Sequence, residues 1–332
     1  MKNKIIIIAE IGVNHNGSIK LAKKLIDYAV VAKADYVKFQ SYVTKSLLID
    51  NSNLAGYQMK SFKGTQNDLL KKYELSFQQQ TELFRYCKYK KIGFLSTPFD
   101  NESLNFLKDK VSIIKVSSGD LDNIPFLKNI ARTKKKIFLS TGMANTNEIK
   151  ISLNELMKNG VNKKKITLLH CHSEYPTSFN NINLNSIIYL RKKFDIRVGF
   201  SDHTAGVEAS IAAATLGAEV IEKHFTLSKN MKGPDHSSSI DFKELEFMIK
   251  SIRNIEIGMG KFGKYVSKVE KKNKLSVRKS IVAFKPIKKG TLFTEDNLIT
   301  KRPGTGIAAI KWEKILGKKA RKNFEKNEQI KI

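Results

Sequence analysis

The sequence has few of the features found in secreted, membrane-spanning or disulfide-bonded proteins. Its 332 residues include only two cysteines, Cys87 and Cys171, which is too few for a disulfide framework. The longest apolar run, residues 5–9, is far shorter than the roughly 20 residues that span a bilayer. Glu10 ends this run before it could serve as a secretory signal. We therefore expect a cytoplasmic protein with no membrane partner.

Acidic residues are also scarce. The chain has 60 Lys and Arg against 31 Asp and Glu, and residues 261–332 hold 21 against 6. A basic tail can bind nucleic acid, but these lysines are scattered and no groove-reading motif accompanies them. A basic enzyme with anionic substrates explains the positive net charge equally well. Nucleic-acid binding is therefore only a remote alternative, and we predict no nucleic-acid partner.

Eight short apolar runs alternate with amphipathic stretches, as in repeated βα units. The predicted strands are Ile5–Ile8, Tyr36–Phe39, Gly93–Leu95, Ile113–Val116, Ile137–Leu139, Ile166–Leu169, Ile196–Gly199 and Val220–Glu222. Eight units in about 250 residues match a closed (β/α)₈ TIM barrel, which we predict for residues 1–260. An open doubly wound sheet is the alternative, but no G-x-G-x-x-G motif follows any strand.

The last part of the chain has a different pattern. The glycine- and lysine-rich residues 261–277 predict a linker. The small β-rich domain predicted over residues 278–332 has a strand-like run at Ser280–Phe284, a second one at Ile287–Leu292 around a Lys-Lys-Gly turn, and a short helix near Lys311–Leu316.

Polar residues follow each predicted barrel strand, at the face where such barrels carry their active sites. Those that we single out are Glu10, Lys38, Gln40, Thr97, Lys115, Ser118, Asp120, Ser140, Ser173, Tyr175, Ser201, His203, Glu222 and His224. Lysines and small hydroxyl groups bind phosphate and carboxylate. The pattern predicts an enzyme that acts on a small anionic substrate.

Two of these residues, His203 and His224, end consecutive strands. Imidazoles in this arrangement can bind a divalent metal, although either one could instead be a supporting histidine of the core. The sequence has no H-E-x-x-H motif and no paired C-x-x-C, so a zinc protease or a structural zinc site is disfavoured.

With these residues identified, the chain resembles the sialic acid synthase family. Ala9–Gly17 resembles the opening signature of that family, and Lys301–Gly306 is similar to the antifreeze-like (SAF) domain that ends its chains. Further matching motifs are Val37–Gln40, Ser96–Phe99, Leu139–Met143, Tyr175–Thr177, Ser201–Thr204, Glu222–Thr226 and Gly233–Asp235. The resemblance covers essentially the whole chain and implies a TIM barrel, an antifreeze-like domain and a domain-swapped homodimer.

The resemblance also implies a reaction, in which phosphoenolpyruvate, an acylated amino sugar and water give a nonulosonic acid and phosphate with the help of Mn²⁺ or Mg²⁺. It implies metal ligation by His203 and His224, and catalysis by Glu10, Glu222 and Asp120. The implied phosphoenolpyruvate contacts are Lys38, Thr97, Lys115, Ser118, Ser140, Ser173 and Ser201. The implied sugar contacts are Gln40, Tyr175, Asp235 and, from the partner subunit, Arg302. Two positions depart from the family pattern, because Asp120 replaces a glutamate and Ser173 replaces Asn or Thr.

The sugar substrate remains open between two branches of the family. Gly233–His236 resembles the sialic and legionaminic branches and differs from the pseudaminic branch. Val37–Gln40 and Ser173–Thr177 favour N-acetylmannosamine, so we expect an N-acetylneuraminate synthase. The alternative is a legionaminic acid synthase that uses 2,4-diacetamido-2,4,6-trideoxymannose. A barrel enzyme that condenses phosphoenolpyruvate with a sugar phosphate would need a second phosphate site, and no extra basic cluster is visible at the strand ends.

Overall fold

A computed structural model describes residues 4–49 and 64–332. The chain forms two compact units, Met1–Gly260 and Lys261–Ile332. Within the described residues, no helix is long and apolar enough to cross a membrane.

The first unit is a barrel of eight parallel strands. The strands are β1 (Ile6–Gly12), β2 (Tyr36–Ser41), β3 (Gly93–Pro98), β4 (Ile113–Val116), β5 (Lys136–Ser140), β6 (Ile166–Cys171), β7 (Arg197–Asp202) and β8 (Val220–His224). They are hydrogen-bonded in the order β3-β2-β1-β8-β7-β6-β5-β4, and β3 lies beside β4 to complete the ring. The predicted TIM barrel is confirmed, and each predicted apolar run overlaps one strand.

Helices connect successive strands, and the last one follows β8. They are α1 (Ile19–Val31), α2 (Thr44–Leu47), α3 (Gln66–Tyr73), α4 (Phe77–Tyr89), α5 (Asn101–Leu107), α6 (Ile124–Arg132), α7 (Thr146–Lys158), α8 (Asn185–Phe194), α9 (Glu208–Thr215) and α10 (Phe242–Gly258). Several begin at a residue whose side chain caps free backbone N–H groups, as Asn145 does for α7 and Asp241 for α10. In α6, the buried Phe126, Leu127 and Ile130 form one apolar stripe.

Inside the barrel, the side chains change from apolar to polar between one inward-facing position of the strands and the next. Six buried apolar side chains form a plug, namely Ile8, Leu95, Ile113, Phe138, Leu169 and Val220. Because alternate residues of a strand face the same side, the next inward positions are two residues further on. Those positions hold Glu10, Thr97, Lys115, Ser140, Cys171 and Glu222. A layer of polar groups therefore lies directly next to the apolar plug, on the side of the C-terminal strand ends.

A fully buried ion pair joins the ends of β7 and β8. Lys223 Nζ lies 3.0 Å from Asp202 Oδ2, and neither side chain is exposed. Lys223 also donates to the carbonyl oxygen of Thr204 at 2.6 Å, and Ser210 Oγ donates to Asp202 at 2.6 Å. Since buried charges must be paired and hydrogen-bonded, this network fixes the two strand ends that carry the histidines.

The second unit has its own small core, which includes Ile281, Phe293 and Phe324. Strand β9 (Ser280–Ala283) pairs antiparallel with β10 (Leu298–Lys301), and a short helix follows at Trp312–Ile315.

The structure differs from the sequence prediction at three places in this unit. The run Ile287–Leu292 forms only isolated bridges on either side of the predicted Lys-Lys-Gly turn, where Gly290 has φ +88°. The strand Leu298–Lys301 was not predicted. Much of the predicted linker is a helix, α11 (Lys268–Val277), which begins with a capping box of Ser267 and Glu270.

Candidate active site

A cavity of about 640 Å³ opens at the C-terminal ends of the barrel strands. The predicted residues that line it are Glu10, Lys38, Gln40, Thr97, Lys115, Ser118, Ser140, Ser173, Tyr175, Ser201, His203, Glu222 and His224. The barrel thus brings together side chains from seven of its strands and from the loop after β6, which are far apart in the sequence.

Two lysines and two glutamates form the deepest part of the cavity. Lys38 Nζ lies 2.6 Å from Glu10 Oε2 and 3.8 Å from Glu222 Oε1. Lys115 Nζ lies 3.8 Å from the same oxygen of Glu222, which also accepts a hydrogen bond of 2.9 Å from Ser201 Oγ. All four charged side chains are almost completely buried, so their charges act on each other with little screening by water.

This arrangement moves the pKa values of the two carboxyl groups apart. Burial raises the pKa of Glu10 to about 8, against the opposing charge of Lys38. Burial would also raise the pKa of Glu222, but Lys115 and Lys38 outweigh it, so this pKa lies below its ordinary value. Burial lowers the pKa of Lys115. One carboxyl group can therefore hold a proton at neutral pH while the other is ionised, which is the condition for an acid and a base in one site.

Small hydroxyl groups surround the ammonium group of Lys115. Its Nζ donates to Ser140 Oγ at 2.7 Å, and Ser118 Oγ accepts a hydrogen bond from Gly142 N at 3.0 Å. A Cβ atom at Gly142 would lie 2.5 Å from Ser173 Oγ and 2.8 Å from Ser118 Oγ. Only glycine therefore allows these hydroxyl groups to converge, and the cluster matches the oxygen atoms of a phosphate group.

The two histidines form one wall of the cavity, with ring centroids 5.6 Å apart. His203 Nδ1 donates to the carbonyl oxygen of His172 at 2.6 Å, so the lone pair lies on Nε2, which is 3.3 Å from Tyr175 Oη. Burial lowers the pKa of His203 to about 4 and holds that of His224 well below its ordinary value. Both rings are therefore neutral, as a metal ligand must be.

These histidines fit a divalent cation as a pair. Nδ1 of His224 is buried without a hydrogen-bond partner in the structure. No group of three or more His, Cys, Asp or Glu among residues 4–49 and 64–332 is arranged to hold a metal.

Three predicted site residues do not line the cavity. Asp120 is buried in its own turn, where it accepts hydrogen bonds from Ser117 Oγ at 2.6 Å and Asn123 Nδ2 at 3.2 Å. Asp235 stands behind the cavity wall, with Oδ2 3.7 Å from His224 Nδ1. Arg302 is exposed and belongs to the second unit.

Several lining residues were not singled out from the sequence. They are Tyr42, Leu47, Leu48, Gln66, Leu70, Phe99, Ser117, Gly119, Met143 and Glu174. Tyr42 could have been found, because it continues the inward alternation of Lys38 and Gln40. Leu47 and Leu70 lie on helices α2 and α3, whose positions over the barrel mouth have no signal in the strand pattern.

Comparisons with known proteins point to a single family. The NeuB family matches residues 25–264, and the SAF domain matches residues 278–332. The N,N'-diacetyllegionaminic acid synthase of Campylobacter jejuni is 50% identical over 330 residues, which are 98% of this chain and 99% of that protein. The corresponding enzyme of Legionella pneumophila is 37% identical, over 96% of this chain and 91% of that protein.

The crystal structure of the N-acetylneuraminic acid synthetase of Leptospira borgpetersenii, in complex with citrate, has a TM-score of 0.73 and 33% identity. That match covers 82% of this chain and 90% of the Leptospira chain.

Proposed function

This chain belongs to the NeuB family of phosphoenolpyruvate-dependent nonulosonic acid synthases, and on that premise we propose that it makes N,N'-diacetyllegionaminic acid. The substrates are phosphoenolpyruvate, water and 2,4-diacetamido-2,4,6-trideoxymannose. The observation that carries the choice of sugar is the 50% identity, over nearly the whole chain, to an enzyme of that name. The sequence motifs favoured N-acetylmannosamine, but the comparisons support the legionaminic alternative better.

In this proposal, the charged floor of the cavity holds phosphoenolpyruvate. Lys38 and Lys115 neutralise its phosphate and carboxylate groups, and the hydroxyl groups of Ser118, Ser140 and Ser173 donate hydrogen bonds to their oxygen atoms. The fit is electrostatic, because the two buried ammonium groups and the surrounding donors match an anion with two charged ends.

A Mn²⁺ or Mg²⁺ ion held by the neutral rings of His203 and His224 would supply a Lewis acid for the aldehyde oxygen of the sugar. Gln40 and Tyr175 in the cavity lining are the sugar contacts, while Asp235, which does not line the cavity, lies 3.7 Å from His224 behind the wall. The aldehyde carbon thus lies between the anion site and the histidines, which places it next to phosphoenolpyruvate.

The two glutamates divide the proton transfers between them. C3 of phosphoenolpyruvate forms the new bond to C1 of the open-chain sugar, and protonated Glu10 donates a proton to the former aldehyde oxygen. Ionised Glu222 accepts a proton from the water that adds at C2. Phosphate then leaves from C2 with its bridging oxygen, which gives the 2-keto acid and inorganic phosphate.

The choice of sugar is tested by phosphate release from phosphoenolpyruvate in the presence of Mn²⁺. We expect release with 2,4-diacetamido-2,4,6-trideoxymannose, at least 10-fold slower release with N-acetylmannosamine, and none without sugar; about 10-fold is the discrimination that small apolar groups commonly provide. Faster release with N-acetylmannosamine would make the enzyme a sialic acid synthase. Release with neither sugar, from folded protein supplied with metal, would refute both assignments.

We also propose that the active enzyme is a domain-swapped homodimer. Apolar side chains near the boundary between the two units support this, because Ile257 is 81% exposed and Phe262 is fully exposed in the single chain. Val269, Leu275 and Val277 of α11 are also exposed. Burial of such side chains against a second copy would stabilise the assembly.

In that dimer, Arg302 of one subunit contacts the sugar bound by the other. The change Arg302→Ala is expected to raise the KM for the sugar by about 10-fold or more and to leave the KM for phosphoenolpyruvate nearly unchanged. Lys301→Ala, at the neighbouring exposed position, is the matched control. An unchanged sugar KM in Arg302→Ala would remove this residue from the site, and the mass of the particle in solution tests the dimer separately.

A further inference from the structure

One side of the cavity mouth is apolar, in contrast to its floor. The side chains of Tyr42, Leu47, Leu48, Leu70 and Phe99 line the cavity there, and we call them the apolar wall. Tyr42 and Phe99 directly follow β2 and β3, Leu47 and Leu70 lie on helices α2 and α3, and Leu48 directly follows α2.

The inner faces of two neighbouring strands become steadily less polar toward this wall. Along β2, the lining residues are Lys38, Gln40 and then Tyr42, spaced by roughly 7 Å for each alternate position. Along β3, Thr97 is followed by Phe99. Gln40 and Thr97 are register partners, and the rings of Tyr42 and Phe99 meet edge to face, with centroids 6.4 Å apart. A ligand that extends from the floor to the mouth therefore passes from a charged to an apolar environment.

Hydrogen bonds hold the apolar wall in place. Tyr42 Oη donates to the carbonyl oxygen of Leu70 at 3.1 Å, which satisfies its polar end within the wall. Thr44 Oγ1 donates to Glu74 Oε2 at 2.6 Å, which ties α2 to the end of α3. Val43 N donates to Asp100 Oδ2 at 2.8 Å. The chain segments that contain the leucines of the apolar wall are therefore held in place by hydrogen bonds.

The apolar wall lies on the sugar side of the cavity. Gln40, a proposed sugar contact, lies two residues before Tyr42 on the same inward-facing side of the chain, and both side chains line the cavity. The cavity lining thus runs from the histidine pair past Gln40 to Tyr42 and Leu70. A sugar whose aldehyde is held at the histidines directs its far end toward this wall.

The two candidate sugars differ only at that far end. Both carry an acetamido group at C2. At C4, 2,4-diacetamido-2,4,6-trideoxymannose has an acetamido group where N-acetylmannosamine has a hydroxyl group, and at C6 it has a methyl group in place of a hydroxymethyl group. Both differences add apolar surface or remove a polar group, so the trideoxy sugar gains more from contact with leucine and aromatic side chains.

We infer that the apolar wall is the specificity subsite for the C4 acetamido methyl and the C6 methyl of the trideoxy sugar, with Leu70 as a central contact. This inference rests on the proposed function, because it assumes that the sugar binds with its aldehyde at the histidines. Apolar contacts discriminate such groups by roughly 10- to 200-fold, so the wall should set the preference between sugars and not the rate of bond formation.

The test is the ratio of kcat/KM for 2,4-diacetamido-2,4,6-trideoxymannose to that for N-acetylmannosamine. In Leu70→Gln we expect this ratio to fall by about 10-fold, while Leu70→Met, which keeps the apolar volume, retains most of it. Lys71→Gln, on the exposed side of the same helix, is the matched control and should leave the ratio unchanged. Because the ratio compares two substrates of one protein preparation, partial unfolding lowers both values and cancels.

Leu47→Gln provides an independent test from helix α2 and should also lower the ratio. An unchanged ratio in both Leu70→Gln and Leu47→Gln, in an enzyme that prefers the trideoxy sugar, would overturn the subsite and leave the proposed function standing. A wild-type enzyme that prefers N-acetylmannosamine, or that uses neither sugar, would overturn the proposed function and this inference together.

Discussion

Replacement of His224 by alanine is expected to reduce kcat/KM by roughly 1,000-fold or more, because a Lewis acid at the aldehyde supplies several kcal/mol of transition-state stabilisation. The barrel should remain folded, since the change removes a buried ring whose Nδ1 has no hydrogen-bond partner in the structure. The measurements are steady-state kinetics, direct titration of Mn²⁺ binding, and thermal unfolding without metal.

The matched control for this change is His172→Ala. His172 lies in the loop after β6, its side chain is 40% exposed, and only its backbone carbonyl contacts His203. We expect this variant to keep wild-type Mn²⁺ affinity and turnover. Wild-type Mn²⁺ affinity in His224→Ala would show that this histidine is not a ligand, whatever the effect on the rate.

The largest expected effect on stability comes from Lys223→Met. This change leaves the carboxylate of Asp202 buried without its cation, so the free energy of unfolding should fall by about 3–5 kcal/mol. Chemical denaturation followed by circular dichroism measures it. The double variant Asp202→Asn/Lys223→Met should lose less than the sum of the two single changes, because it removes both charges together.

An exposed ion pair of the same unit provides the comparison. Lys229 Nζ lies 2.6 Å from Glu244 Oε1, with side chains 42% and 30% exposed. Lys229→Met should therefore cost less than about 1 kcal/mol. Equal losses in Lys223→Met and Lys229→Met would contradict the view that the buried pair holds the ends of β7 and β8.

The barrel and the floor of its cavity were predictable from local patterns. Each strand is a short apolar run with polar residues near or directly after its C-terminal end, and the alternation of inward positions follows from strand geometry alone. Glu10, Lys115 and Glu222 lie two residues beyond members of the apolar plug, and Lys38 lies two residues beyond Tyr36, which packs against the plug. Counting by two from the strand cores therefore places all four in the site. The motifs of the resemblance then identified the family that the comparisons show.

The small second unit was less predictable. A strand of four residues such as Leu298–Lys301 has too few positions for a clear alternation, and its pairing with Ser280–Ala283 depends on a partner distant in the sequence. Helix α11 has no buried residues, so no apolar stripe indicated it. Its capping box, Ser267 and Glu270, was the available local signal.

The sequence by itself determined the eightfold repeat, the polar strand ends and the charge of the cavity floor, because these depend on spacing along one strand. Only the tertiary structure decided which groups act together. In the folded chain, Lys38 lies beside Glu10, and Asp120 accepts hydrogen bonds within its own turn. Leu47 and Leu70, from two helices, lie with Tyr42 at the mouth of the cavity. These relations depend on distances between segments that are remote in the chain, and the burial that moves the pKa values of Glu10 and Glu222 apart exists only after the barrel has closed.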